Sequence, residues 1–267
     1  LTRECGVCGN ERVVVTPAED ALSAAPCVCQ RPCSQCGDVG FTFARDEQGY
    51  ERAVPCACRE VERRARMLSE ANLPARYARA RLDTFETREP WQGAALSLAY
   101  GFAREFEAGA RGLLFYGRSG TGKTHLSVSI IRYLVVQRGI RARFIEFKHL
   151  ISDLRETFSG PTSSASLTTP LVLVPLLVID ELGKGARREW EQDVLDELVS
   201  RRYNAKRTTL FTTNYQVGAG ARAPGEESLE ERVGTRIYSR LAEMCRAHPM
   251  NGDDQRRATD ARALQRG

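Results

Sequence analysis

The chain contains no apolar run long enough to cross a bilayer. The longest, Leu171 to Ile179, includes Pro175 and falls well short of the roughly 20 residues that a membrane helix needs. No secretory or transit signal is visible, and position 1 is Leu rather than Met, which leaves room for a preceding piece. A cytoplasmic protein with no membrane partner is expected. Charge of one sign is also scarce: a formal balance of +5 supports nucleic-acid binding only weakly by itself. Cysteine is nearly absent beyond residue 58, where Cys245 stands alone and reads as a small buried apolar residue. The 267 residues, 42% of them apolar, allow one or two domains and a sizeable core.

The other eight cysteines crowd into the first 58 residues as four pairs: Cys5 with Cys8, Cys27 with Cys29, Cys33 with Cys36, and Cys56 with Cys58. The pairs repeat. Cys5-Gly-Val-Cys8-Gly-Asn is echoed by Cys33-Ser-Gln-Cys36-Gly-Asp, and Ala-Pro-Cys27-Val-Cys29 by Val-Pro-Cys56-Ala-Cys58, at an offset of 28 to 29 residues. Two tandem zinc ribbons follow. Cys5, Cys8, Cys27 and Cys29 would hold one Zn2+, and Cys33, Cys36, Cys56 and Cys58 the other, with an interleaved pairing as the alternative. Roughly 28 residues cannot bury enough apolar surface to fold unaided, whereas a structural zinc supplies on the order of 10–16 kcal/mol. Disulfides compete poorly. Cys-x-Cys pairs close badly on themselves, and a nucleotide site implies a reducing compartment.

That nucleotide site is the strongest signal. Gly117 to Thr124 reads Gly-Arg-Ser-Gly-Thr-Gly-Lys-Thr, between the strand-like run Gly112 to Tyr116 and a stretch with helical apolar spacing from His125 to Gln137. Glycines let successive backbone N–H groups and the helix N-terminus surround a polyphosphate. Gly117, Ser119, Gly120, Thr121, Gly122, Lys123, Thr124 and His125 are the expected ATP contacts. Lys123 would reach the outer phosphates and Thr124 would offer its hydroxyl to Mg2+. Leu176 to Ile179 is a continuous apolar run, as in a parallel strand covered on both faces, and Asp180 and Glu181 stand at its carboxyl end, where ligands of open α/β sheets gather. Asp180 would thereby hold magnesium through water, and Glu181 would polarise the attacking water. A third strand, Thr208 to Thr213, ends at Asn214, which either orients that water or simply forms a turn.

Alternation of strands and helices beyond residue 80 calls for an α/β fold, a parallel sheet with helices on both faces. The organisation expected is a tandem zinc-ribbon-like module at 1–59, a charged linker helix at 60–80 ended by Pro74, an ATPase domain at 81–247 and a polar tail at 248–267. The segment Ser159 to Pro170, rich in small polar residues without apolar period, is expected to be a mobile loop.

Gly117 to Thr124, Leu176-Leu-Val-Ile-Asp-Glu-Leu-Gly183, Leu195-Asp-Glu-Leu198 with Arg201-Arg-Tyr203, Thr208-Thr-Leu-Phe-Thr-Thr-Asn-Tyr215 and Arg236-Ile-Tyr-Ser-Arg-Leu241 together resemble the DnaC/DnaI-like helicase loaders. These are AAA+ P-loop ATPases related to IstB-like transposition helpers. The resemblance spans roughly residues 56 to 247. It implies that Lys123, Thr124, Asp180, Glu181 and Asn214 act within one subunit, and that Arg240, with Arg236 as alternate, is an arginine finger entering a neighbour's site in a homo-oligomer. It further implies a replicative helicase as partner, gripped by the cysteine module, whose duplication departs from the family. Single-stranded DNA would be met by the insertion from Lys148 to Pro170, through Lys148 and Arg155, with Phe158 either stacking on a base or buried. A transposition helper that activates a transposase is the alternative function, and a zinc adaptor with a purely structural nucleotide site is a third. Only about 26 residues follow Leu241, too few for a helical lid, and no second sensor arginine is assigned.

Overall fold

The computed structural model describes residues 5–157, 164–184, 188–218 and 227–255. Two small antiparallel hairpins come first. β1 (Val13–Pro17) pairs with β2 (Leu22–Pro26), and β3 (Phe41–Arg45) with β4 (Glu51–Pro55). Each hairpin leaves one Cys-x-x-Cys knuckle and returns to one Cys-x-Cys pair, so the sequence repeat is a structural repeat. The registers agree: Val13 lies opposite Pro26 as Phe41 lies opposite Pro55.

Helix α1 (Ala57–Glu70) begins between the last two cysteines. The charged stretch expected to be a solvated linker is in fact amphipathic. Val61, Ala65 and Leu68 recur at helical spacing and are buried in the main core, while the charged residues share the outer face. Arg64 also donates to the carbonyls of Val136 (2.7 Å) and Gln137 (3.2 Å), capping the last turn of α3 (Lys123–Arg138). Dense charge hid this because four buried residues, Met67 beside these three, suffice to seat a helix of this length. Asn72, in the left-handed region at φ 57°, then turns the chain before Pro74.

The central sheet has the spatial order β6 (Ala142–Glu146), β7 (Leu176–Asp180), β8 (Thr208–Thr213), β5 (Gly112–Tyr116), β9 (Cys245–Pro249), with every neighbouring pair parallel. Its apolar runs split by alternation. Leu176, Val178, Leu113, Phe115 and Leu210 join the core under α1, α2 (Pro90–Glu105) and α3. Leu177, Ile179, Leu114 and Phe211 join the core under α4 (Phe147–Thr157), α5 (Ser164–Leu173), α6 (Glu189–Asn204), α7 (Leu229–Val233) and α8 (Thr235–Met244).

Two further elements differ from expectation. Ser164–Leu173 is helical rather than a mobile loop; residues 159–163 lie outside the described ones. The stabilising contact is remote in sequence: Arg202, 1% exposed, sends its guanidinium to the carbonyls of Leu171 (2.5 Å), Val172 (3.2 Å) and Val174 (3.0 Å), which close the end of α5. Strand β9 was not anticipated and runs through position 247, where the ATPase domain was expected to end. It is an edge strand with only Cys245 buried, so it carries almost no apolar pattern. The buried Cys245 thiol, its pKa pushed up by desolvation, donates to Thr209 O at 3.3 Å.

Candidate active site

Between β5 and α3 the chain passes through Gly117 (φ 132°) and Gly122 (φ 95°), backbone conformations that side chains resist. A Cβ on Gly117 would come within 2.5 Å of the Met250 carbonyl oxygen, and Gly122 is the left-handed N-cap of α3. The loop therefore delivers its amides and the α3 N-terminus to one point, a ready anion site. Lys123 folds back over it. Its buried ammonium donates to Gly117 O at 2.8 Å and Arg118 O at 2.7 Å. Thr121, also buried, ties the loop by donating to Arg118 O at 3.0 Å.

At the adjacent strand end, Thr124 Oγ1 lies 3.0 Å from both carboxylate oxygens of Asp180. Asp180 is 2% exposed. Thr212 Oγ1 donates to Asp180 Oδ1 and accepts from the Glu181 N–H at 3.0 Å, so one hydroxyl fixes both acids. Burial raises the Asp180 pKa above the usual carboxylate range. The Thr212 and Thr124 hydrogen bonds oppose that rise, and the nearby charges of Glu181 and Glu146 reinforce it. Glu181 has φ 54°, the left-handed region, which costs a non-glycine residue on the order of 1–3 kcal/mol and is characteristic of sites where geometry is imposed. Its carboxylate is paired with Lys184.

Ser119, Gly120, Gly122, Lys123, Thr124, His125, Glu181 and Asn214 all line one cavity of about 310 Å³. Asp180 stands beneath Thr124, and Gly117 and Thr121 form the loop behind. His125 has Nε2 3.4 Å from Arg81 O and its ring edge-on to Phe85; burial lowers its pKa, so it is neutral near pH 7. Arg240 is elsewhere. On α8 it contacts Asp196 of α6 at 2.7 Å, and the more exposed Arg236 reaches the same carboxylate at 3.6 Å. In the insertion, Lys148 is exposed on α4, whereas Arg155 is held by Glu191 and lies over the Trp190 ring. Phe158 lies outside the described residues.

The sequence reading missed Thr212, Lys184, Arg76, Tyr77 and Gln255. Thr212 and Lys184 brace the acids, while Arg76, Tyr77 and Gln255, with Thr212, complete the cavity wall. Thr212 could have been found from its place two residues before Asn214 on a strand pointing at the site. Gln255 offers no such signal; its N–H donates to Gly120 O at 3.1 Å only because β9 brings the chain back past the loop.

The cysteines form the two groups the repeat predicts rather than an interleaved set. Sγ–Sγ separations are 3.9 Å for Cys5–Cys27, 3.7 Å for Cys8–Cys29, 3.7 Å for Cys33–Cys56 and 3.5 Å for Cys36–Cys58. These are far beyond a disulfide bond, and match the edge of about 3.8 Å of a sulfur tetrahedron at a zinc–sulfur distance of about 2.3 Å. Within each group the shifts divide: backbone N–H groups of Cys8 and Val7 hold the Cys5 thiol down to about 6 and those of Gln35 and Cys36 hold Cys33 at about 7, whereas the neighbouring Cys36 and burial push Cys58 up to about 12 and burial raises Cys8.

The family of IstB-like ATP binding proteins matches residues 54–263. Among curated proteins, the chain is 29% identical over 198 residues to the replicative helicase loader DnaC of Escherichia coli K12, covering 72% of this chain and 79% of that one. Among solved structures, the DnaC helicase loader superposes with a TM-score of 0.58 at 31% identity, covering 65% of this chain and 98% of that one. DnaI superposes at 0.53 with 21% identity, a likeness of fold, covering 68% and 94%. With the phosphate loop, the acid pair and the parallel sheet already in place, these likenesses settle the class: the chain belongs to the IstB-like ATP binding protein family and is a DnaC-like AAA+ protein.

Proposed function

We propose that this protein is an ATPase that loads a replicative helicase onto single-stranded DNA. The observation that carries the chemistry is the convergence of Lys123, Thr124, Glu181 and Asn214 on one cavity above Asp180. The curated relative of Escherichia coli is named a replicative helicase loader, which favours a helicase over a transposase as partner.

Thr124 and Asp180 fit a magnesium site, one hydroxyl beside a buried carboxylate that lacks a cation of its own among the described residues. Bound there, Mg2+ would neutralise charge on the phosphates of ATP. Lys123 exchanges its two loop carbonyls for phosphate oxygens when nucleotide enters. Glu181 leaves Lys184 to accept a proton from the attacking water, and Asn214 orients that water. Arg240, or Arg236, completes the site of a neighbouring copy. The two four-cysteine groups hold Zn2+ as structural ions, since every position is filled by a thiolate and none is open to substrate. Lys148 and the insertion around it supply the DNA contact.

Glu181→Gln is expected to retain ATP binding while turnover falls by ~10²–10⁴, the usual share of a general base. Loading is then followed by helicase retained on circular single-stranded DNA. Undiminished turnover in the variant overturns the assigned chemistry. A wild-type protein that neither binds nor loads the helicase overturns the partner.

A further inference from the structure

The two ribbons are copies of one another but are used differently. Val13, Val15, Ala24 and Pro26 of the first correspond, at the offset of the cysteines, to Phe41, Phe43, Ala53 and Pro55 of the second. In both hairpins these residues alternate along the strands and sit opposite one another, so they share one face. In the first ribbon that face is covered. Val13 is 1% exposed, Val15 and Ala24 pack against the core, and the Ala24 N–H donates to Ser69 Oγ of α1 at 2.9 Å. Helix α1, amphipathic, packs along β2 of this hairpin and shares that core.

In the second ribbon the same face is bare. Phe43 is 76% and Phe41 41% exposed, and Ala53 and Pro55 are exposed beside them. Single exposed apolar residues are ordinary, but two phenylalanines with an alanine and a proline on one hairpin face form a patch. At its edge the Arg59 guanidinium lies 4.6 Å over the Phe41 ring. The other arginines of this ribbon are paired, Arg31 with Glu62, Arg45 with Glu51 and Arg52 with Asp46, whereas Arg59 has no carboxylate partner among the described residues. A positive group at the end of an apolar strip selects an incoming segment that carries an acid at the matching place.

We infer that the Phe41/Phe43 face of the second ribbon docks an amphipathic helix of the replicative helicase, seated as α1 is seated on the first ribbon, with an acidic residue meeting Arg59. The inference rests on the helicase reading and deepens it: one ribbon is spent inside the chain and its duplicate is offered outward. The α1 helix of a second copy is not the occupant, because its apolar face is already buried in its own chain.

The test uses the full chain with zinc and the intact helicase of the source organism, with affinity read by calorimetry. Phe43→Asp is expected to weaken binding by at least ~30-fold, as for an interface anchor, and Arg59→Glu by ~10-fold. Val54→Asp, on the opposite face of the hairpin, stays within a few-fold. Zinc content and ATP affinity remain those of wild type in all three, and hydrogen exchange shows protection of a helical segment of the helicase and of residues 41–55 on this chain. Wild-type affinity in Phe43→Asp overturns the docking face while leaving the helicase reading intact. Absence of any heat with the wild-type chain overturns both. A loss of self-association in Phe43→Asp, with helicase affinity unchanged, assigns the face to contact between copies and overturns the inference.

Discussion

Asp180 is an ionisable group set where water cannot solvate it, held by two threonine hydroxyls and facing Glu146 across the β6–β7 ladder. Its raised pKa means that the folded, nucleotide-free protein binds more protons than the unfolded chain between the ordinary carboxylate value and the folded one. Stability therefore falls as pH rises through that window, and the penalty is complete above it. Asp180→Asn removes the charge but keeps an acceptor for both threonines. It is expected to raise the melting temperature of the nucleotide-free protein by about 3 °C near pH 8, with a gain that shrinks as pH falls toward the ordinary carboxylate value, and to abolish the further stabilisation by Mg-ATP. Scanning fluorimetry with and without Mg-ATP decides this, and an unchanged or lowered melting temperature refutes it. The loop and both acids were legible in the sequence because their chemistry demands fixed spacing. Thr212 and Lys184 were not, since each acts through a contact that exists only after the strands pair or the turn after β7 closes.

At the scale of elements, a repeated ribbon has diverged in what it supports. Glu11, just beyond Cys8, reaches Arg132 of the phosphate-loop helix at 2.6 Å, with both side chains nearly buried, and Arg132 also donates to Ala78 O at 2.8 Å. Val13 and Leu22 belong to the main core. Losing the first four-cysteine group thus opens a core and strands a buried charge, whereas losing the second disturbs an exposed hairpin. Cys8→Ser is expected to lower the main melting transition by ~5 °C or more, and Cys36→Ser by less than ~2 °C, although each breaks one of the two four-cysteine groups proposed to hold zinc. Equal shifts would show that the first ribbon is not part of the core. Strands β5, β7 and β8 and helix α3 could be read from their apolar runs, because each carries buried side chains of its own. Helix α5 could not, since its carbonyl cap comes from Arg202, and β9 could not, since an edge strand needs few buried side chains.

For the whole molecule, the position of Arg240 sets the question. It lies outside the cavity of its own chain, on the α8 surface with Asp196, as a residue serving another copy would. Arg240→Ala is expected to lose ~10³-fold or more in turnover, and Lys123→Ala to be equally inactive. An equal mixture of the two should regain about a quarter of wild-type activity per site, the statistical share of interfaces with an intact half from each copy. No recovery on mixing, while Arg236→Ala with Lys123→Ala does recover, moves the role to Arg236.

The edge position of β9 has a consequence for how the protein comes into being. β5, from which the phosphate loop springs, has β8 on one side and only residues 245–249 on the other. On the ribosome, the cysteine ribbons and most of the sheet are made before this last partner emerges, and until then the nascent β5 presents an unpaired margin to any passing strand. Completion of the ATP cradle is therefore a late event in synthesis, and a chain stopped before Cys245 would keep its two cysteine hairpins while leaving that margin open to aggregation.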